Sequence, residues 1–126
     1  GLGDVYKRQA VNIAAVSEAL TFAKKAGTDP ELVYQAIRGG LAGSTVMDAK
    51  APMMLGRNFK PGFRIELHIK DLTNAENASR AVGMELPMTE QVLVMMKKLQ
   101  EEGMGKCDHS ALLRYYEEKE NIEVKR

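Results

Sequence analysis

Residues 63–82 read FRIELHIKDLTNAENASRAV, and this stretch indicates the fold class more clearly than any other. Its apolar side chains recur at intervals of three and four residues, which is the spacing of one face of an α-helix. A glycine, Gly83, follows the last of them and predicts the end of the helix. The sequence therefore predicts an amphipathic helix from Phe63 or Arg64 to Val82, with these residues inward: Ile65, Ile69, Leu72, Ala75, Ala78 and Val82.

Glycine and proline divide the preceding part of the chain into further helices. Residues 10–26 are apolar on nearly all sides, which is typical of a central helix covered by its neighbours, and Gly27 ends them. Asp29 and Pro30 begin a second helix. Its predicted inward residues are Leu32, Val33, Ala36 and Ile37. Ser44 caps a short third helix through Lys50, and Pro52 opens another to about Asn58.

The last part of the chain predicts two more helices. Pro87 opens one that ends at Gly103. Its inward stripe is Met88, Val92, Met95, Met96 and Leu99. Asp108 or Ser110 caps the final helix, and residues 117–126 are expected to fray because they are highly charged.

Length and composition agree with one compact domain. The chain has 126 residues, of which 44% are hydrophobic, and it contains eight Met, no Trp and one Cys. Many Ala, Leu, Glu and Lys residues favour helix over sheet, since their side chains lose little rotamer freedom in a helix. The net charge of +1 disfavours nucleic-acid binding, and no apolar run approaches the ~18 residues of a membrane-spanning helix. We expect an all-α, multi-helix domain located in the cytoplasm.

Polar side chains on the helix of residues 63–82 are the best candidates for binding. Lys70, Asn74 and Asn77 share one face, with Asp71 on its flank. A lysine and an asparagine supply a charge, donors and an acceptor that suit a ribose, an amide or a carboxylate. A solvated helix face explains the same pattern, so both interpretations stay open. Glu18, inside a nearly apolar helix, is expected to be paired, either inside the protein or at an interface.

The remaining polar clusters are interpreted as structural. The spacing of His68, Cys107 and His109 does not match a metal site, and none is predicted. Asp108, His109 and Ser110 are interpreted as a helix cap, because adjacent residues at a helix start point in different directions. The glycine-rich segment of residues 39–44 is either a tight turn between helices or a place where helix amides hold an anion.

Four motifs in order resemble the β-hydroxyacid dehydrogenase family. They are NIAAVSEAL at residues 12–20, RGGLAGS at 38–44, FKPGFR at 59–64 and KDL at 70–72. The resemblance runs from about residue 10 to about residue 124 and corresponds to the family's helical C-terminal domain, similar to that of 6-phosphogluconate dehydrogenase. It implies an N-terminal Rossmann domain, NAD or NADP as cofactor, a small hydroxyacid as substrate and a homo-oligomer.

The resemblance also implies roles for particular residues. Lys70 is expected to contact the cofactor. The residues expected to shape the closed site are Phe63, Asp71, Asn74, Gly43 and Ser44. The family's catalytic lysine falls on Leu2 here, so no catalytic residue is assigned.

Residues 1–9 do not continue the family pattern and are interpreted as a leader of separate origin. We therefore expect a truncated dehydrogenase domain, residues 10–126, that is inactive alone. The alternative is a stand-alone helical module that binds another protein.

Overall fold

A computed structural model describes residues 2–125, and in this range the chain is helical, with an isolated bridge between Arg64 and Asp108 as its only β-type pairing. The predicted all-helical fold class is confirmed. The six α-helices are α1 (Leu2–Lys25), α2 (Pro30–Ile37), α3 (Thr45–Leu55), α4 (Ile65–Ala81), α5 (Pro87–Leu99) and α6 (Leu113–Glu120). A π-helical turn (Gln100–Met104) and a 3-10 turn (His109–Leu112) join α5 to α6.

Helix α1 is the centre of the domain, as its apolar composition predicts. It packs against each of the other five α-helices and the 3-10 turn. Ile13 and Leu20 are buried in the core that these elements enclose. The helix begins at Leu2, eight residues before the predicted start, so residues 2–9 extend it. Gly1 lies outside the described residues, and the separate origin of residues 1–9 stays a prediction.

The predicted inward face of α2 is wrong in part. Leu32 is 64% exposed and Ala36 is also exposed, whereas Pro30 and Tyr34 are buried. The Tyr34 hydroxyl donates a hydrogen bond to Asp48 of α3. The side of the short helix that carries the Tyr34 ring therefore faces inward, which the simple apolar pattern did not predict.

Helix α3 is continuous where the sequence predicted two helices. Pro52 lies inside it, and the helix runs on to Leu55. Pro52 has no backbone N–H, so the Asp48 carbonyl lacks its intrahelical donor there. The proline ring is exposed, and Ala51 and Met54 keep this part of the helix packed on the core.

Helices α4 and α5 mostly follow the predicted patterns. Of the predicted inward residues of α4, those up to Ala75 are buried, but Ala78 and Val82 are exposed because the helix leaves the core at its C-terminal end. Helix α5 begins at Pro87, as predicted, and four of its five predicted inward residues are buried. Met88 is the exception and is 66% exposed.

The C-terminal segment is held to the domain, so the expected fraying is wrong for most of it. Glu117 and Val124 are buried, and the Arg57 guanidinium donates two hydrogen bonds to the Glu117 carboxylate, at 2.7 and 2.9 Å. Arg57 also donates to the Val124 carbonyl. A partner 60 residues away in sequence therefore secures this charged segment. Arg126 lies outside the described residues.

Two further findings concern membranes and metals. No helix among the described residues is both long and apolar enough to cross a membrane. Over residues 2–125, no group of three or more His, Cys, Asp or Glu side chains is arranged to hold a metal ion.

Candidate functional site

The middle of α4 carries the predicted polar binding residues. Lys70 and Asn74 lie one turn apart and are both exposed, and Asp71 beside them is half-buried. In the described part of the chain no hydrogen bond or ion pair engages the Lys70 ammonium. The structure thus brings Lys70, Asp71 and Asn74 together on one accessible surface.

Phe63 precedes this helix and is held in an aromatic cluster. Its ring lies edge-on to His68 at 5.3 Å between ring centroids and contacts His109 at 5.4 Å. Tyr6 of α1 stacks on it at 6.1 Å. Phe63 itself is half-buried, so part of its ring remains accessible beside the start of α4.

Asp108 fixes the loop that carries Phe63. The backbone N–H groups of Gly62 and Phe63 both donate to Asp108 Oδ1 at 2.9 Å, and the Ser110 N–H donates to Oδ2. The Lys50 ammonium of α3 pairs with the same carboxylate at 3.1 Å. Burial alone raises the pKa of this carboxyl, but the hydrogen bonds from Phe63, Ser110 and Gly62 outweigh it and lower the pKa to about 2. Asp108 therefore stays ionised at neutral pH.

A buried pair of histidines lies behind the Phe63 ring. The Nδ1 atoms of His68 and His109 are 2.9 Å apart, and His68 Nε2 is 2.9 Å from the Tyr6 carbonyl oxygen. A carbonyl only accepts, so His68 Nε2 donates to it, and the neutral pair is completed when His109 Nδ1–H donates to His68 Nδ1. Burial lowers the pKa of both imidazoles, that of His109 to about 4 with the Lys50 charge as the next cause.

The Gly43-Ser44 turn serves the packing of α3. Ser44 accepts a hydrogen bond from the Met47 N–H as the N-cap and donates one to Asn12 Oδ1 of α1. At Gly43 a Cβ atom would lie 2.3 Å from the Arg38 carbonyl oxygen, which only glycine avoids. These contacts tie the turn to α1 and α2. Its expected role in shaping the closed site stays a prediction.

Sequence reasoning missed the two links that build this site. Asp108 was interpreted as a helix cap, and it does cap the 3-10 turn, but its Oδ1 atom serves a loop 45 residues earlier. The histidine pair joins positions 41 residues apart. The only available signal was the coincidence of two histidines and one aspartate in apolar surroundings.

Glu18 also differs from expectation. It is exposed, and its carboxylate lies near the Tyr116 side chain. Burial, followed by the charge of the nearby Glu18 carboxylate, raises the pKa of Tyr116. Glu18 is therefore not a buried, paired carboxylate, and its pairing at an interface stays a prediction.

The accessible residues fit part of a dinucleotide site. An unengaged ammonium at Lys70 attracts a phosphate or another anionic group, and the Asn74 amide one turn away offers a donor and an acceptor. The exposed edge of Phe63 adds an apolar surface suited to a flat ring. The polar pair of α4 and the half-buried Phe63 before it are each compatible with part of a nicotinamide cofactor.

Comparison with known proteins identifies the class. Residues 9–116 match the family described as the NAD-binding domain of NADP-dependent 3-hydroxyisobutyrate dehydrogenase. The chain belongs to this family of hydroxyacid dehydrogenases.

Individual relatives agree with this assignment. The chain is 44% identical over 108 residues to 2-hydroxy-3-oxopropionate reductase of Escherichia coli, a match that covers 86% of this chain and 37% of the relative. It is 30% identical to 2-(hydroxymethyl)glutarate dehydrogenase of Eubacterium barkeri over 90% of this chain and 38% of that enzyme. The chain thus spans little more than a third of the curated relatives it matches.

Solved structures show the same fold. The 3-hydroxyisobutyrate dehydrogenase of Salmonella typhimurium superposes with a TM-score of 0.84 at 23% identity, covering 89% of this chain and 39% of that one. The corresponding enzyme of Mycobacterium tuberculosis, solved with L-serine, superposes with a TM-score of 0.81 at 25% identity, covering 89% and 40% of the two chains.

Proposed function

We propose that this chain is the helical C-terminal domain of an NAD(P)-dependent reductase of 2-hydroxy-3-oxopropionate, also called tartronate semialdehyde. The observation that carries the proposal is the 44% identity to the E. coli enzyme with that activity. The domain acts with a dinucleotide-binding Rossmann domain and is inactive alone, since the family's catalytic lysine falls on Leu2. It works in the cytoplasm as part of a homo-oligomer.

Each site residue has a distinct task in this proposal. Lys70 binds an anionic part of the cofactor through its ammonium, and Asn74 orients the same ligand by hydrogen bonding. Phe63 excludes water from the reacting atoms when the domains close. Asp71 and the Gly43-Ser44 turn shape the wall of the closed site. The bound nicotinamide supplies the hydride that reduces the substrate carbonyl.

Lys70 supports this proposal because its ammonium is accessible and unengaged, unlike Lys50, which is bound to Asp108. Exposed lysines are commonly unpaired, so the support comes from the accessible Lys70 ammonium together with the Asn74 amide one turn away on the same face. Phe63 supports it because its position does not depend on the ligand: the loop that carries it is already hydrogen-bonded to Asp108.

A chimera tests the reaction. The Rossmann domain of the E. coli reductase, continued through its catalytic lysine to the position before Val11, is fused to residues 11–126 of this chain. We expect the chimera to oxidise NAD(P)H with 2-hydroxy-3-oxopropionate, and the isolated chain to show no turnover. An inactive, folded chimera that binds cofactor contradicts the assigned reaction, and turnover by the isolated chain contradicts the predicted truncation.

A matched pair of lysine variants tests the site. Lys70→Ala in the chimera is expected to raise the cofactor KM by about tenfold. The reason is the loss of one charge-assisted contact worth roughly 1.4 kcal/mol. Lys97→Ala removes an exposed lysine of α5 and serves as control. Equal cofactor KM values for the two variants contradict the role of Lys70.

A further inference from the structure

His68 of α4 contacts both α1 and the loop before α4. Its side chain is completely buried, and its Nε2 atom lies 2.9 Å from the Tyr6 carbonyl oxygen on α1. Its ring is edge-on to the rings of Phe63 and Tyr6, at 5.3 and 6.4 Å between ring centroids. His68 therefore joins α4 to the first turns of α1 and to the Phe63 ring.

His109 connects His68 to the backbone of the same loop. The Nδ1 atoms of the two imidazoles are 2.9 Å apart, and the His109 backbone N–H donates to the Phe63 carbonyl at 2.8 Å. Among the described residues, His109 Nε2 has no hydrogen-bond partner, so the His109 imidazole is held through Nδ1. A continuous chain of hydrogen bonds thus runs from the Tyr6 carbonyl through both histidines to Phe63.

The acceptor of this chain on α1 is a backbone atom. The bond from His68 Nε2 therefore does not depend on which side chain stands at position 6. Apolar contacts between two helices are not directional, whereas a hydrogen bond to one particular carbonyl fixes how far one helix is shifted along the other. Buried polar networks whose members are paired specify one arrangement in the same way.

The contacts between α1 and α4 show which part of the site this bond holds in place. A Cβ atom on Gly3 would lie 3.4 Å from Ala75 Cβ, so the start of α1 packs on this alanine. Three residues further along α1, Tyr6 meets His68, which lies seven residues earlier in α4. The two helices are therefore antiparallel, and the start of α1 lies beside residues 71–75 of α4.

We propose that His68, supported by His109, is a positioning residue of the reductase and holds the start of α1 in register with the polar face of α4. This inference rests on the proposed function, in which the family's catalytic lysine stands at position 2 and Lys70 binds the cofactor. Position 2 lies one helical turn, about 6 Å, before position 6, so a shift of α1 at the carbonyl displaces it as well.

Two substitutions in the chimera separate positioning from packing. Position 6 comes from the E. coli reductase there, but it still offers a backbone carbonyl. His68→Phe fills the space without a hydrogen bond, whereas His68→Gln keeps an NH₂ donor for the carbonyl. We expect His68→Phe to lower kcat by about tenfold to 10²-fold, since a misplacement of about 1 Å has an effect of that order. The cofactor KM should change little, and His68→Gln should recover most of kcat.

Arg57→Ala is the control for a general loss of stability. Arg57 binds Glu117 and the Val124 carbonyl in the C-terminal segment. The kcat of this variant should equal that of the unmodified chimera at a temperature where circular dichroism shows every variant folded. Three results overturn the proposal: an unchanged kcat in His68→Phe, an equal fall in His68→Gln, and an equal fall in Arg57→Ala.

NMR on the chain without any added domain tests the hydrogen bonds directly. Long-range ¹H–¹⁵N correlations at pH 7 report which ring nitrogen carries the proton. We expect the proton on Nε2 in His68 and on Nδ1 in His109. An unprotonated Nε2 in His68 overturns the proposal, because it has no hydrogen to donate to the Tyr6 carbonyl.

Hydrogen exchange tests the placement of α1 without turnover. In the chain without any added domain, the amides of residues 2–10 should exchange faster in His68→Phe than in wild type, and His68→Gln should restore most of their protection. Equal exchange in all three proteins overturns the proposal. If the chimera is inactive, the reductase proposal fails and this exchange pattern decides on His68. If the chimera is active and His68→Phe leaves kcat unchanged, the positioning role fails and the reductase proposal stands.

Discussion

Replacing Asp108 with alanine should destabilise the protein strongly and release the loop that carries Phe63. The Asp108 side chain is completely buried and accepts hydrogen bonds from the N–H groups of Gly62, Phe63 and Ser110 as well as from the Lys50 ammonium. Asp108→Ala removes the acceptor for all of these donors at once. Among the described residues, no other side chain accepts a hydrogen bond from these four donors.

The magnitude follows from the groups left unpaired. A buried donor without an acceptor costs about 1–3 kcal/mol, and removing one member of a buried ion pair costs about 3–5 kcal/mol. These effects overlap, and water can reach exposed Gly62, so we expect a total loss of about 3–5 kcal/mol. At the usual stability of roughly 0.05–0.15 kcal/mol per residue, a domain of this length has about 6–15 kcal/mol, so the expected loss leaves a folded variant.

Urea unfolding followed by circular dichroism measures the loss, and two companion variants divide it. Lys50→Met removes one member of the buried ion pair but leaves Asp108 with three amide donors that compensate part of its charge, so we expect a cost of about 2–3 kcal/mol. Asp108→Asn keeps an acceptor for Gly62 and Phe63 but turns an NH₂ group towards other donors, and an intermediate loss is expected. Amide NMR shifts of Gly62 and Phe63 should change in Asp108→Ala and remain near wild type in Lys50→Met.

The pH dependence supplies an independent check. The folded-state pKa of Asp108 is about 2 and its ordinary value is 3.8, so its contribution is present above pH 3.8 and is lost as the pH falls towards 2. The stability difference between wild type and Asp108→Ala should therefore narrow over that interval. A loss below about 1 kcal/mol at pH 7 would refute the reasoning, because it would mean that the donors find other partners.

The remaining predictions concern pH, packing and the C-terminal segment. The pKa of His109 is lowered from 6.5 to about 4, so the fold should lose about 2–3 kcal/mol between pH 7 and pH 4.5 in urea titrations, and His109→Phe should remove most of that loss. Gly43→Ala forces a Cβ atom against the Arg38 backbone, and a loss of about 1–3 kcal/mol is expected in thermal unfolding, whereas no measurable change would contradict the packing argument. Arg57→Ala leaves the buried Glu117 carboxylate with less compensation for its charge, so we expect a loss of about 2–4 kcal/mol in the free energy of unfolding. Proteolysis of the last residues should also become faster. Unchanged protease resistance would contradict the role of Arg57 in holding the C-terminal segment.

Local features of the sequence predicted much of the secondary structure. The start of α5 at Pro87 and the cap at Ser44 depend on backbone groups within one turn, and both are confirmed. The prediction was weaker where a helix has two plausible inward faces. In α2 the buried side is the one that carries Tyr34, whose hydroxyl bonds to Asp48 on another helix.

The candidate site divides in the same way. Lys70 and Asn74 share a face because they are four residues apart, and helix geometry alone requires it.

The C-terminal segment, by contrast, was predicted wrongly from its charge. The burial of Glu117 and the order of this segment depend on Arg57, which lies 60 residues earlier in the sequence.

By itself, then, the sequence determined the helical class, most helix starts and the polar face of α4, because these follow from periodicity and from contacts within a turn or two of the chain. Only the tertiary structure decided that Asp108 holds the Phe63 loop and that two histidines pair behind it. Each of these depends on which distant segments meet. The physical reason is that hydrogen bonding and burial act through space, and spacing along the chain does not encode the partner of a buried polar group.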